Sequence, residues 1–206
     1  NKMLHNNWSV FEDIDKLSKQ LPSDILYIAK NSIKLNDSFK IVLAGGKSLV
    51  ETYKILSNMD SDWGKWHVYI GDERCLPLED EDRNDYVINK AWLNNSPVLK
   101  ENIHFMSAEL GAYDGALHYN KILECAGDFD VVLFSIGEDG HTASLFPGHS
   151  YDDNKNVVIE RNSPKYPKNR ISMSYSRFNQ SRNVFKIISG SSKCNIVKQW
   201  LNNIQL

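Results

Sequence analysis

The sequence predicts an α/β fold: a single domain over residues 1–206 with a mostly parallel, Rossmann-like open sheet flanked by helices. Three observations carry that expectation. Short apolar runs, such as "FKIVLAGG" (39–46) and "FDVVLFSIG" (129–137), alternate with segments of helical spacing. No internal repeat, low-complexity tract or linker interrupts the alternation. The unusual stretches "GGKS", "GDER", "GEDGHT" and "GSSK" all follow strand candidates. In open α/β sheets, ligands sit beyond the carboxyl ends of the strands, so these corners point to one shared site.

The elements follow in order. Residues 8–36 carry Phe11, Ile14, Leu17, Ile25, Ile28, Ala29 and Ile33 at helical spacing, and Pro22 divides the stretch into two helices. The run 39–46 is a buried strand. In "SLVETYKIL" (48–56), Ser48 and Glu51 have capping-box spacing, so Ser48 caps the helix. "WHVYIGDER" (66–74) is a second strand with charges at its end, and 83–93 is a helix. A short strand over 102–109 and a helix over 115–126 lead to 129–137, the most apolar strand. The stretches 156–160, 170–176 and 183–190 are strand candidates. Residues 191–204 read as a closing helix with Ile196, Val197, Trp200 and Leu201 on one face.

The 206 residues suffice for one full core. Composition is ordinary, with 41% hydrophobic and 24% charged residues. A formal net charge of −2 gives no field to attract nucleic acid or an anionic membrane, so neither is expected as a partner. A small anionic ligand must be held by local cations, in a monomer or weak dimer. No apolar stretch approaches the ~20 residues of a membrane span. The polar, acidic start is not a secretory signal. Cys75, Cys125 and Cys194 form no CxxC pattern and read as free thiols of a cytoplasmic protein.

The corners carry the chemistry. Gly45 and Gly46 precede a helix start, whose unpaired amides suit a phosphate; neither a P-loop nor a GxGxxG spacing is present. The plainer reading is a tight turn without a ligand. Asp72, Glu73 and Arg74 end a strand; Arg74 can grip an anion with its planar fork, or belong to a solvated charged loop. In "GEDGHTASLFPG", Asp139 can cap a short helix starting near Gly140 and ending at Pro147-Gly148. His141 then lies in its first turn, where the helix dipole disfavours the imidazolium and favours the neutral base. Asp139 can instead accept from His141 and fix its tautomer. "NSPKYPKNRISM" stiffens a loop before Arg170, and Lys193 lies at the start of the last helix, where an anion would relieve its conflict with the dipole. His5, His67, His104, His118 and His149 have no ligand-like grouping, so no metal is expected. Trp63, Trp66, Trp92 and Trp200 read as packing residues.

Together "AGGKS", "GDERCLP" with the later "RND", "FDVVLFSIGEDGHTASLFPG", "SPKYPKNRISM" and "NVFKIISGSSK" resemble the 6-phosphogluconolactonase family, within the wider group that includes glucosamine-6-phosphate deaminase. The match runs in family order from about residue 40 to 195. The resemblance implies a parallel α/β sheet, no metal and no organic cofactor. It implies hydrolysis of 6-phospho-D-glucono-1,5-lactone, the second step of the pentose phosphate pathway. It implies His141 as the base that activates water, assisted by Asp139, and Arg74 near the lactone. Phosphate contacts fall to Gly46, Ser48, Arg170 and Lys193, with Gly45 and Asp72 in the substrate-binding set. Lys47 and Leu49 depart from the family's usual glycine turn, which carries a proline. Two other readings remain: an amino-sugar-phosphate isomerase or deaminase using the same Asp139–His141 corner, and a sugar-phosphate-binding module without catalysis.

Overall fold

A computed structural model of the chain describes residues 7–11, 14–137, 139–189 and 194–200. Its elements run β1 (Asn7–Phe11), α1 (Ile14–Asn36), β2 (Phe39–Leu43), α2 (Lys47–Leu56), β3 (Trp66–Ile70), β4 (Asp72–Arg74), α3 (Asn84–Ala91) and β5 (Ile103–His104). They continue with α4 (Ala112–Glu124), β6 (Phe129–Ile136), β7 (Val157–Glu160), β8 (Arg170–Met173), α5 (Tyr175–Phe178), β9 (Ser181–Ser189) and β10 (Cys194–Trp200). Among the described residues the larger sheet has the order β1-β10-β9-β6-β2-β3-β5. The five strands from β9 to β5 pair parallel, and β10 and β1 extend the β9 edge antiparallel. A smaller antiparallel sheet has the order β4-β8-β7.

The predicted mostly parallel α/β sheet is present, and its burial explains the continuous apolar runs. A parallel strand is covered on both faces, so it needs apolar residues at odd and even positions alike. Phe39, Ile41, Val42 and Leu43 are all fully buried. On one face Phe39 packs edge-on to Trp66, which meets Trp63 and Trp92; Tyr53 of α2 stacks on Trp92. On the other, Phe178 of α5 packs against Phe134 and lies beside Val42 across Gly71. Tyr119 of α4 bonds to the backbone of Ile70 and His104.

Several expectations are corrected. Residues 66–74 are not one strand. At Gly71 the chain leaves the large sheet for the small one: its N–H donates to Leu43 of β2, and its carbonyl accepts from Met173 at the end of β8. Helix α1 runs unbroken through Pro22, and Phe11 belongs to β1. The buried stripe of Leu17, Leu21, Ile25, Ile28 and Ala29 stays in register across the proline, and its burial offsets the one lost hydrogen bond. Ser48 does not cap α2. The N-cap is Gly46, at φ 109°, and Ser48 lies inside the first turn. The strand expected over 102–109 shrinks to two residues. The closing helix is absent: Cys194–Trp200 is a strand paired along its whole length with β9. Its β-branched Ile196-Val197 pair suits that edge, and seven residues of ladder outweigh helical spacing.

Arg83, at the start of α3, is fully buried and saturates all five of its donors. Nε and Nη2 form a fork with Asp85 at 2.9 and 2.7 Å. Nη1 donates to the Leu76 carbonyl at 2.9 Å and to Glu109 at 3.2 Å, and Nη2 also donates to the Met106 carbonyl at 3.2 Å. Replacing Arg83 with alanine leaves two carboxylates and two carbonyls without their donor. We expect a loss of about 3–5 kcal/mol in urea unfolding; a loss below ~1 kcal/mol would contradict this account.

Candidate active site

A cleft of about 200 Å³ opens beyond the carboxyl ends of β2 and β6, at the junction of the two sheets. Gly45, Gly46, Asp72, Arg74, His141 and Arg170 line it, joined by Asn84 and Ser135. The corners that are far apart in the sequence therefore meet. A larger hollow of about 400 Å³ lies between α4 and β7, walled largely by Tyr113, Leu117, Val157 and Ile159. It gathers no comparable set of charged groups.

His141 and Asp139 form a close pair, with Nδ1 and Oδ1 2.6 Å apart. The carboxylate can only accept, so in the neutral ring the proton sits on Nδ1 and Nε2 keeps its lone pair. The other Asp139 oxygen faces Lys165 Nζ at 3.4 Å. Slight burial works against ionisation of Asp139. The hydrogen bond and charge of His141, with help from Lys165, override it and lower the Asp139 pKa below 3.8. The expected short helix is absent. Residues 139–148 form a turn closed by a Thr142–Leu145 bridge, with φ 77° at Gly140 and 52° at Ala143. No helix dipole acts on His141; its tautomer is set by Asp139 alone. Of the two roles left open for Asp139, orienting the imidazole is the one it takes.

Asp72, Glu73 and Arg74 divide three tasks. Asp72 accepts from Ser144 Oγ at 2.6 Å, which ties β4 to the His141 turn. Glu73 points away from the cleft and accepts backbone N–H from Arg74, Asn84 and Asp85 at 2.8, 2.8 and 2.9 Å. Arg74 donates through Nη1 to the Asp82 carbonyl at 2.8 Å. Its Nε is buried with no hydrogen-bond partner among the described residues. Arg170 is opposite Arg74 in the β4–β8 ladder. Its Nε and Nη2 hold the carbonyls of Pro167, Tyr166 and Lys165 at 3.1–3.2 Å. Burial and the charge of Arg74 lower the Arg170 pKa, while Asp72 and Glu160 act in the opposite sense.

The glycine turn is shaped by its neighbours. A Cβ on Gly45 would stand 2.1 Å from Asn84 Oδ1, and one on Gly46 would stand 2.6 Å from Ser135 Oγ. Ser48 does not line the cleft; its Oγ lies under the turn, 3.0 Å from Ser135 Oγ. Lys193 lies outside the described residues. Three neighbours escaped the sequence reading of the site. Asn84, 5% exposed, donates to the Asp72 carbonyl at 3.0 Å and fills the space beside Gly45. Ser135 supports the turn, and Lys165 reaches Asp139. A signal existed for all three: Asn84 stands in "RND", Ser135 in "FDVVLFSIGEDGHTASLFPG" and Lys165 in "SPKYPK". Among the described residues no group of three or more His, Cys, Asp or Glu is placed to hold a metal ion. No helix among them is long and apolar enough to cross a membrane.

Residues 12–205 match the family described as glucosamine-6-phosphate isomerases/6-phosphogluconolactonase. The chain is 33% identical over 202 residues to a probable chloroplastic 6-phosphogluconolactonase 4 of Oryza sativa subsp. indica, covering 87% of this chain and 62% of that protein. It thus spans about three fifths of the rice relative's length. It is 31% identical over 207 residues to 6-phosphogluconolactonase 3 of Saccharomyces cerevisiae strain YJM789, covering 92% and 82%. A 6-phosphogluconolactonase structure from Trypanosoma brucei superposes with a TM-score of 0.77 at 27% identity, covering 89% of this chain and 82% of the other. One from Thermotoga maritima shares the fold, with a TM-score of 0.79 at 24% identity, over 88% and 83%. The chain belongs to the glucosamine-6-phosphate isomerase/6-phosphogluconolactonase family.

The Asp139–His141 pair makes a pH prediction. A carboxyl whose folded pKa is lowered contributes stability above its unfolded pKa and loses it as pH falls through the folded value. Asp139 should therefore titrate below 3.8 in the native protein, followed by carboxyl ¹³C resonances. In His141→Ala its midpoint should move back up. An unmoved midpoint would break the pairing.

Proposed function

We propose that this member of the family hydrolyses 6-phospho-D-glucono-1,5-lactone to 6-phospho-D-gluconate, the second step of the pentose phosphate pathway. One observation carries the reading. The neutral-ring lone pair of His141, fixed by Asp139 at 2.6 Å, belongs to a ring that lines the same small cleft as two arginines. A base, a cationic surround and a turn suited to phosphate are the parts that lactone hydrolysis on a phosphosugar requires.

The C6 phosphate rests at the start of α2. Gly46 turns the backbone at φ 109°, which a side chain would strain, and presents the free amides of the first turn. Arg170 supplies a cation, with Nη1 free of the loop carbonyls that occupy Nε and Nη2. Lys193 completes the phosphate set in this reading. Ser48 acts from beneath, through Ser135, and Gly45 lets Asn84 close against the turn. That grip leaves the lactone carbonyl near His141 and Arg74.

His141 Nε2 takes a proton from water as the oxygen attacks C1. The C1 carbonyl oxygen becomes an oxyanion. Arg74, whose side chain lines the cleft and is anchored through Nη1 to the Asp82 carbonyl, is the cation suited to it. Asp72 fixes the His141 turn from behind, through Ser144. The oxyanion then reforms the carbonyl, the C1–ring-oxygen bond breaks, and the ring oxygen recovers the proton from His141. No proton is gained or lost by the protein over the cycle, and no metal or organic cofactor is needed. We place the reaction in the cytosol, in keeping with the unpaired thiols of Cys75 and Cys125.

The test is the rate of 6-phosphogluconolactone loss above spontaneous hydrolysis, set against the unphosphorylated lactone. His141→Ala should lower turnover by about 10²–10⁴-fold with substrate affinity largely kept. A folded variant with near-normal turnover would remove His141 from the base role. The family also includes glucosamine-6-phosphate isomerases, and the Asp139–His141 pair would serve a proton shuttle there too. Ammonia release from glucosamine 6-phosphate, without lactone hydrolysis, would move the chain to that branch.

A further inference from the structure

Phe146 takes no part in the steps above, yet it touches two of the groups that do. Its side chain is 3% exposed. Its ring stacks on His141, with centroids 4.9 Å apart and planes inclined by 26°. The guanidinium carbon of Arg170 lies 5.6 Å from the same ring centre. The backbone behind the ring is held as well. Phe146 N–H donates to Tyr151 Oη at 2.9 Å, and that hydroxyl donates in turn to Glu160. Glu160 also accepts from His149 Nδ1 at 2.7 Å and from Asn162 N–H at 2.8 Å, so both of its oxygens are engaged. Glu160 is opposite Arg170 in the β7–β8 ladder, which makes ring, relay and arginine one packed unit.

We propose that Phe146 is a positioning residue for His141: its buried face fixes the plane of the imidazole and favours the imidazolium formed while the ring holds the water's proton. The inference rests on His141 as the base. Asp139 fixes one edge of the ring through Nδ1, but a single hydrogen bond leaves rotation about its own axis. A face contact removes that rotation, and with it the wander of Nε2. The same face carries the negative side of an aromatic quadrupole, which attracts a cation within about 6 Å of the ring centre. His141 is a cation only after it has accepted the proton, so the contact strengthens along the reaction coordinate, which is what accelerates a step. Other charges act on the ring. Asp139 and Asp72 favour the cation; Arg74, Arg170 and Lys165 oppose it, with His149 5.9 Å from the Phe146 ring.

The test compares Phe146→Leu with Phe146→Tyr in the full chain. The readouts are kcat and KM on the lactone, and the proton resonance of His141 Nδ1–H, which needs no turnover. Leucine keeps an apolar filling and loses the aromatic face. It should lower kcat by about tenfold with KM changed less than about twofold, and should broaden or abolish the Nδ1–H signal. Tyrosine keeps the face and should restore both. A Leu variant with native kcat and a sharp Nδ1–H signal overturns the proposal; so does a folded Tyr variant as impaired as Leu. Should Leu fail to fold, Phe146→Met against Phe146→Tyr makes the same comparison. If the native chain does not hydrolyse the lactone, the function is wrong. The Nδ1–H signal then still decides whether Phe146 holds the ring.

Discussion

The Glu73 carboxyl group joins the start of α3 to the end of β4 through three backbone amides. Its side chain is completely buried. Burial and the nearby Asp85 charge push its pKa up to about 8, while the three amides pull it down. A helix N-terminus is one of the few places where a buried carboxylate finds donors ready-made. With α3 fixed there, Asn84 is delivered to the glycine turn and Arg83 to its five acceptors. Asp72 and Arg74, on either side, are left facing the cleft. An acid that performs no chemistry thus sets where its two neighbours can act.

The cleft exists because the chain changes sheets. At Gly71 one residue serves both, its N–H donating to β2 and its carbonyl accepting from β8. The parallel sheet contributes strand ends and a helix start, whose first amides face the cleft side of the glycine turn. The small antiparallel sheet contributes a row of side chains, Arg74, Arg170 and Glu160, placed opposite one another by register. Neither sheet alone could oppose the glycine turn with a fixed cation. The turn carrying His141 closes the space, held by Ser144 to Asp72 and by Asp139 to Lys165.

The histidine corner illustrates how one chemical outcome can arise from two geometries. A helix at 140–148 would keep the imidazole neutral through its dipole. The observed turn reaches a defined tautomer by a carboxylate contact instead. The difference matters for charge. A dipole would oppose positive charge on the ring, whereas the Asp139 carboxylate lies against Nδ1 and complements it.

The sequence by itself determined the fold class and the meeting of its strand-end corners at one cleft. Apolar runs such as "FDVVLFSIG" carry information at every residue, because strands buried on both faces tolerate no polar alternation. Glycine, acid, arginine and histidine at successive strand ends are not called for by core packing, and they do line one cleft. Tertiary structure decided what depends on partners distant in the chain. Pro22 passes through α1 because a buried stripe compensates for it. Residues 194–200 pair as a strand because β9 offers a free edge. Ser48 looked like a cap, yet it answers to Ser135, 87 positions away. Glu73 and Lys165 are likewise defined by what meets them in space. Local pattern encodes burial and turn chemistry; it cannot encode which donor finds which acceptor once the sheets have closed.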